Sequence, residues 1–384
     1  MVSMEEKYIP GLEGIIASET SISFLDTVHG EIVIKGYDLI QLSKTKSYLD
    51  IIHLLLEDQL PTDEEKNSLA NTLKSYYEIP TAVMEVFTHL PKGTHPMDGL
   101  RTGISSLAGY DSTLDDRSKQ ANKERAYRLL GGVPTIVANS YRILQGLERI
   151  EPDKSLSYSA NFFYMLTGRV PSDLEERVFD QSLLLYSEHE MPNSTFAARV
   201  IASTQSDLFG ALTGAVASLK GSLHGGANEA VMYMLNEAES VAGLEGLFYK
   251  KLFKKEKIMG FGHRVYMKKM DPRALMMKEA LQELSIQNGD DSLLRKCEAG
   301  ERIMEVEKGL YPNLDYYAAP VYGMLGIPIP LYTPIFFSAR TVGLCAHVIE
   351  QHENNRLFRP RVIYSGARHT LPNTGGVRVN AENE

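Results

Sequence analysis

The sequence predicts an all-α fold that carries one small β-hairpin near its N-terminus. Three observations predict it. Period-two alternation is confined to residues 22–34, most of the remaining chain has helical period, and glycine-rich or proline-rich breaks fall at 221–226, 260–262 and 326–334.

In chain order, Ile22 and Phe24 alternate with polar neighbours, His29-Gly30 supplies a turn, and Ile32 and Ile34 resume the alternation. Residues 47–57 place Ile51, Ile52, Leu55 and Leu56 on one helical face before Pro61 stops the run. Helices are predicted at 123–149, 157–166 and 173–188. The longest is predicted over 194–219, opened by Asn193/Ser194 and closed near Gly221. It would span roughly 39 Å at 1.5 Å per residue, and its Ala, Ser and Gly content would let neighbouring helices approach closely. Further helices are predicted at 228–239, 272–287 and 293–308. GIPIPLYTP, 326–334, has three prolines and reads as a connector; Thr333 then caps a helix with Pro334 in first place, running to about Gln351. The polar tail after Arg368 is expected to fray.

With 384 residues the chain can form two domains around a large core. The formal charge of −9 argues against a nucleic-acid-binding surface, so an anionic ligand must meet a local cluster of cations. Cys297 and Cys345 form no CxxC pair, and no apolar run is long enough to span a membrane. MVSMEEKYIPGLEG is acidic and lacks an apolar core, so it does not read as a signal peptide. Cytoplasmic location is the expectation.

Three motifs carry ionisable residues at helix ends or breaks. In SLHGGANEA, 222–230, His224 precedes two glycines and a helix start near Ala227, whose dipole disfavours imidazolium. It is either a turn residue or a neutral imidazole able to polarise a carbonyl. In IMGFGHRVYMKKMDPRA, 258–274, Gly260, Phe261 and Gly262 let backbone N–H groups approach a ligand, and His263 is a candidate acid. Arg264, Lys268, Lys269 and Arg273 are either a solvated corner or a polyanion site. In YPNLDYYAAP, 311–320, Asp315 lies among apolar residues, as a base with raised pKa or as a helix cap.

Arg340 interrupts the apolar stretch PIFFSARTVGLCAHVIE and needs an anion, either an internal carboxylate or a ligand. Arg359 sits in NRLFRPRV, in a loop fixed by Pro360, and His189 in YSEHEMPNSTF. Metal ligation is not indicated: HEMPN lacks the second histidine of HExxH, and His347 and His352 point about 140° apart on a helix.

Taken together, GFGHRVYMKKMDPR, SEHEMPNSTFAARV, LHGGANEAV, YPNLDYY and the FFSAR…RPR pair resemble the citrate synthase family, which includes the 2-methylcitrate synthases. The likeness runs over essentially the whole chain, to the shorter bacterial members. It implies a helical homodimer with a large domain, 1–220 and 327–384, and an inserted small domain, 221–326. The implied reaction condenses acetyl-CoA or propionyl-CoA with oxaloacetate and hydrolyses the thioester, giving citrate or 2-methylcitrate. By motif match, Asp315 is the base, His224 the donor to the thioester carbonyl, and His263 the group that protonates the new alkoxide. His189, Arg273 and Arg340 would hold oxaloacetate, with Arg101 a further candidate and Arg359 reaching in from the partner subunit. Lys257, Ile258, Met259, Gly260, Phe261, Gly262 and Arg264 would meet coenzyme A. No metal or further cofactor is implied. Tyr316, Tyr317 and Ala318 are expected to set acyl preference. A primarily 2-methylcitrate-forming enzyme is the near alternative, and a non-catalytic acyl-CoA-binding protein the remote one.

Overall fold

The structure, a computed structural model, describes residues 8–26, 30–262 and 269–367. The expectations for His263, Arg264 and Lys268, and for the tail after 367, lie outside the described residues. The chain divides into two compact units. One comprises Met1–Glu19 and Phe358–Glu384, and the other Thr20–Leu357. Within the first, the described residues form a 3-10 turn, Pro10–Leu12, and irregular chain with Ile16, Val362 and Ile363 exposed.

The second unit opens with a three-stranded antiparallel sheet, β1 Ser23–Asp26, β2 Glu31–Ile34 and β3 Tyr37–Asp38. Ser23 pairs with Ile34 and Leu25 with Ile32, so Ser23 and Leu25 point inward. The alternation predicts Phe24 inside; it is 59% exposed. The register follows a tertiary demand, because the Ser23 hydroxyl donates to the buried Glu188 carboxylate and accepts from the Glu190 N–H.

Helices follow: α1 Leu39–Thr45, α2 Tyr48–Glu57, α3 Asp63–Ser75, α4 Thr81–Thr88, α5 Pro96–Leu107, α6 Lys119–Leu144, α7 Tyr158–Thr167 and α8 Asp173–Tyr186. Then come α9 Asn193–Ala202, α10 Leu208–Leu219, α11 Ala227–Asn236, α12 Val241–Phe253, α13 Pro272–Asn288, α14 Ser292–Lys308, α15 Leu314–Met324 and α16 Tyr332–Glu353. Capping boxes at Ser47, Thr62 and Ser172 start α2, α3 and α8. Left-handed glycines stop α7, α13 and α14 at Gly168, Gly289 and Gly309.

The single helix predicted over 194–219 is in fact two. Between α9 and α10, Ser203 and Thr204 bond back to the Val200 and Ile201 carbonyls and Gln205 takes φ +65°. Asp207 then caps α10 through the Gly210 N–H. These polar side chains offer the backbone partners that compete with the helical ladder, and α10 folds back on α9. The longest helix is instead α6. α16 begins one residue before Thr333, after a 3-10 turn at Ile329–Leu331. The Thr333 hydroxyl does not cap it and instead faces the Gly225 carbonyl and Asn228.

α16 is buried nearly throughout and packs on α2, α5, α6, α8, α9 and α10, as a helix apolar on all sides must. α11, α13 and α14 gather around α15, with α12 against α14. Among the described residues no helix is long and apolar enough to cross a membrane.

Candidate active site

Asp315 occupies the second position of α15. Asn313 performs the capping, accepting from the Asp315 N–H at 3.1 Å, so the carboxylate is not used as a cap. The helix start is anchored to the glycine loop: Phe261 bridges Pro312, Gly262 N–H donates to the Tyr311 carbonyl, and Asn313 N–H to that of Gly260. The Asp315 Oδ1 accepts a 2.7 Å hydrogen bond from the Tyr186 hydroxyl; among the described residues Oδ2 has no hydrogen-bond partner. Burial pushes this carboxyl up to about 6; the Tyr186 bond and the charges of Arg273 and Arg340 oppose the rise, and Asp271 adds to it.

Arg340 lies in the middle of α16 and is 2% exposed. Its Nε donates to the Tyr186 carbonyl at 2.7 Å, and its guanidinium sits 5.0 Å from the Phe336 ring centre. Among the described residues no carboxylate lies within 4.0 Å of it. Burial, reinforced by Arg273, pulls its pKa down to about 10, with Glu188, Tyr186 and Asp315 resisting. Among the described residues, the internal salt bridge that would have quieted this residue is not made. Arg273 differs: it opens α13 beside its cap, Asp271, donating from Nε at 3.1 Å and Nη2 at 2.8 Å to the two carboxylate oxygens. Both side chains are buried.

Glu188 is fully buried one residue before His189. Its Oε1 meets His347 Nε2 at 3.1 Å and the Ser23 hydroxyl at 2.9 Å. His347 Nδ1 faces Arg199, which can only donate, so the ring accepts there and donates to Glu188. Gly343 is required opposite, since a Cβ there would lie 2.1 Å from Glu188 Oε2.

His224 Nε2 is 3.1 Å from the Ser194 N–H and 2.9 Å from its hydroxyl. That backbone donor makes Nε2 the acceptor and places the proton of the neutral ring on Nδ1. Burial, then the charge of Arg340, pulls the imidazole down to about 4. The neutrality expected from the start of α11 therefore comes chiefly from desolvation, and the helix N-terminus that touches the ring is that of α9.

His189 is buried beside Glu188. Arg101 is 43% exposed on α5 and pairs with Asp98, which also holds Lys220. Arg359 is exposed in irregular chain of the other unit. In the glycine loop, Lys257 is exposed, Ile258 and Gly260 are buried, and Met259, Phe261 and Gly262 are half-buried. Gly260 has φ +87°, and a Cβ would lie 2.7 Å from Val231 and 2.8 Å from Tyr316. Its missing side chain makes room for protein, where the sequence suggests room for a ligand. Tyr316, Tyr317 and Ala318 are fully buried, and the two hydroxyls bond to the Cys297 carbonyl and to Glu301.

The structure thus groups Asp315, Arg273 and Arg340 around Tyr186 within electrostatic reach of one another, with His224 within reach of Arg340. Tyr186, Glu188 and Ser194 are participants that sequence reasoning passes over. Tyr186 ends an apolar helical run and reads as core; the acidic Glu188 beside a histidine was the available signal. Among the described residues no group of three or more His, Cys, Asp or Glu is arranged to hold a metal ion.

A family model described as "Citrate synthase, C-terminal domain" matches residues 11–361. The chain is 70% identical to a protein named citrate synthase of Heyndrickxia coagulans, over 94% of this chain and 97% of that protein. It is 69% identical to the citrate/2-methylcitrate synthase of Bacillus subtilis, over 95% and 99%. Among solved structures, the ternary complex of Thermoplasma acidophilum citrate synthase with carboxymethyl coenzyme A and oxaloacetate superposes with a TM-score of 0.88 at 31% identity, covering 94% of this chain and 97% of that one. Fold, charged cluster and full-length similarity agree: the chain belongs to the citrate synthase family of enzymes, which condense an acyl-CoA thioester with oxaloacetate.

Proposed function

We propose that this enzyme joins acetyl-CoA or propionyl-CoA to oxaloacetate with Asp315 as base, His224 as neutral donor and His263 as proton source for the product alkoxide. The observation that carries the reading is Arg340, a buried guanidinium without a carboxylate partner among the described residues, within electrostatic reach of a carboxyl raised to about 6. A dianionic keto acid supplies the anion that no described residue gives Arg340, and a base of that pKa suits proton abstraction near neutral pH.

In this scheme Asp315 takes an α-proton from the thioester. The His224 Nδ1–H meets the carbonyl oxygen as it gains enolate charge, since Nε2 is engaged by Ser194. The enolate carbon attacks the keto carbon of oxaloacetate, His263 protonates the resulting alkoxide, and water cleaves the thioester to release coenzyme A. Arg273, Arg340 and His189 hold the carboxylates, with Arg359 contributed by the second subunit of a homodimer. Arg101 is the outlying member of this set. Residues 257–262 and Arg264 take coenzyme A. Side chains supply every charge the scheme requires, and we assign no metal or further cofactor a role. The mutual packing of α11–α15 supports a small domain at 221–326 that closes over the rest and excludes water from the enolate. Two buried free thiols, Cys297 and Cys345, suit a reducing cytoplasm.

The dual name of the Bacillus subtilis relative supports use of both thioesters. One methylene is worth only about 1–3 kcal/mol, so the two kcat/KM values should differ by roughly 10–200-fold or less. Free-thiol release with oxaloacetate and each acyl-CoA measures this. A larger excess for propionyl-CoA would favour the 2-methylcitrate reading, and no release with either would sink the proposal.

A further inference from the structure

Tyr186, the last residue of α8, makes three contacts inside the site. Its hydroxyl donates to Asp315 Oδ1 at 2.7 Å, its carbonyl accepts from Arg340 Nε at 2.7 Å, and its ring centre lies 4.6 Å from that of Phe336. Arg340 covers the same Phe336 ring. One buried residue therefore ties the base to the arginine.

Resting on the assignment of Asp315 as base, we propose that Tyr186 is a positioning residue that occupies Oδ1, leaves Oδ2 to take the substrate proton, and keeps the carboxylate ionised for that purpose. The hydroxyl faces a carboxylate and donates to it, which favours the charged form. The proton from the thioester α-carbon goes to Oδ2 and its electron pair remains as the enolate. The Tyr186 proton stays on its own oxygen, because burial first and the nearby Asp315 second hold the phenol well above its usual range. Among the described residues, the other groups facing Asp315 are Arg273 and Arg340, which also favour the anion, Asp271, which opposes it, and Tyr322 of the same helix. Asp315 accepts no other side-chain hydrogen bond among the described residues, so nothing within that set replaces the phenol.

Tyr186→Phe keeps the ring on Phe336 and the carbonyl on Arg340 while removing the hydroxyl. The acid limb of its kcat/KM profile should move up by about one pH unit, the size expected for loss of one bond to a charged group. The oxaloacetate KM should stay within about twofold, because the Arg340 contact is to backbone. Placing 3-fluorotyrosine at position 186 makes the hydroxyl a stronger donor with almost no change of shape, so the acid limb should move down. Unshifted acid limbs in both variants, with Asp315→Asn inactive, would overturn the role of Tyr186 and leave the base in place. A KM rise matching the activity loss, with no pH shift, would mark a purely structural residue and overturn it equally. Near-normal turnover by Asp315→Asn would instead remove the base assignment on which the proposal stands.

Discussion

As the proposed base, Asp315 should have opposing effects on activity and stability. Its carboxyl is raised to about 6 in the folded protein, against an ordinary value near 4. The folded state therefore binds this proton more tightly than the unfolded chain does. The stabilisation is full below about pH 4 and lost as pH rises through 6, above which the ionised group in its desolvated pocket costs about 3 kcal/mol. Asp315→Asn should lower kcat by roughly 10²–10⁴-fold while raising the melting temperature of the substrate-free protein by a few degrees at pH 7.5. That gain should vanish near pH 4. Thermal melts at the two pH values, beside turnover by thiol release, check both halves. An unchanged melting temperature at pH 7.5 would count against the raised pKa.

At the scale of elements, the loop 260–262 is fixed by what surrounds it more than by what it offers. Gly260 sits at φ +87° with Val231 and Tyr316 against the missing Cβ, and its carbonyl holds the cap residue of α15. Gly260→Ala combines a disfavoured backbone with overpacking and should destabilise by about 2–4 kcal/mol, read as a lower urea midpoint with an unchanged slope. A midpoint like that of the wild type would show that the loop relaxes without consequence. The same scale explains the split of the helix predicted over 194–219. Apolar periodicity continues across the break, but Ser203, Thr204 and Asp207 redirect the backbone, and α10 gains its burial by returning along α9. Periodicity signals a helix face and does not show where the chain reverses.

For the whole molecule, the homodimer proposal assigns Arg359 to the partner's site. If so, Arg359→Ala and Arg340→Ala, each impaired alone, should regain activity when unfolded and refolded together. Random pairing makes half of the molecules heterodimers, each with one intact site, so recovery should approach about a quarter of the wild-type rate. A mixture no more active than its components would assign Arg359 to its own subunit.

The sequence by itself determined the helical class, the boundaries of α7, α13 and α14 to within a residue, and the family motifs, because capping chemistry, glycine stops and one-face periodicity act over a few residues. It also singled out Asp315, Arg340 and His224 as residues whose polarity is out of place locally. Tertiary structure alone decided which polar atoms meet. It seated Tyr186 between Asp315 and Arg340, turned Ser23 inward to serve Glu188 and gave Gly260 to Tyr316. Each of these pairs residues far apart in the chain, and the free energy that selects them comes from desolvation, which exists only once the surrounding helices have packed.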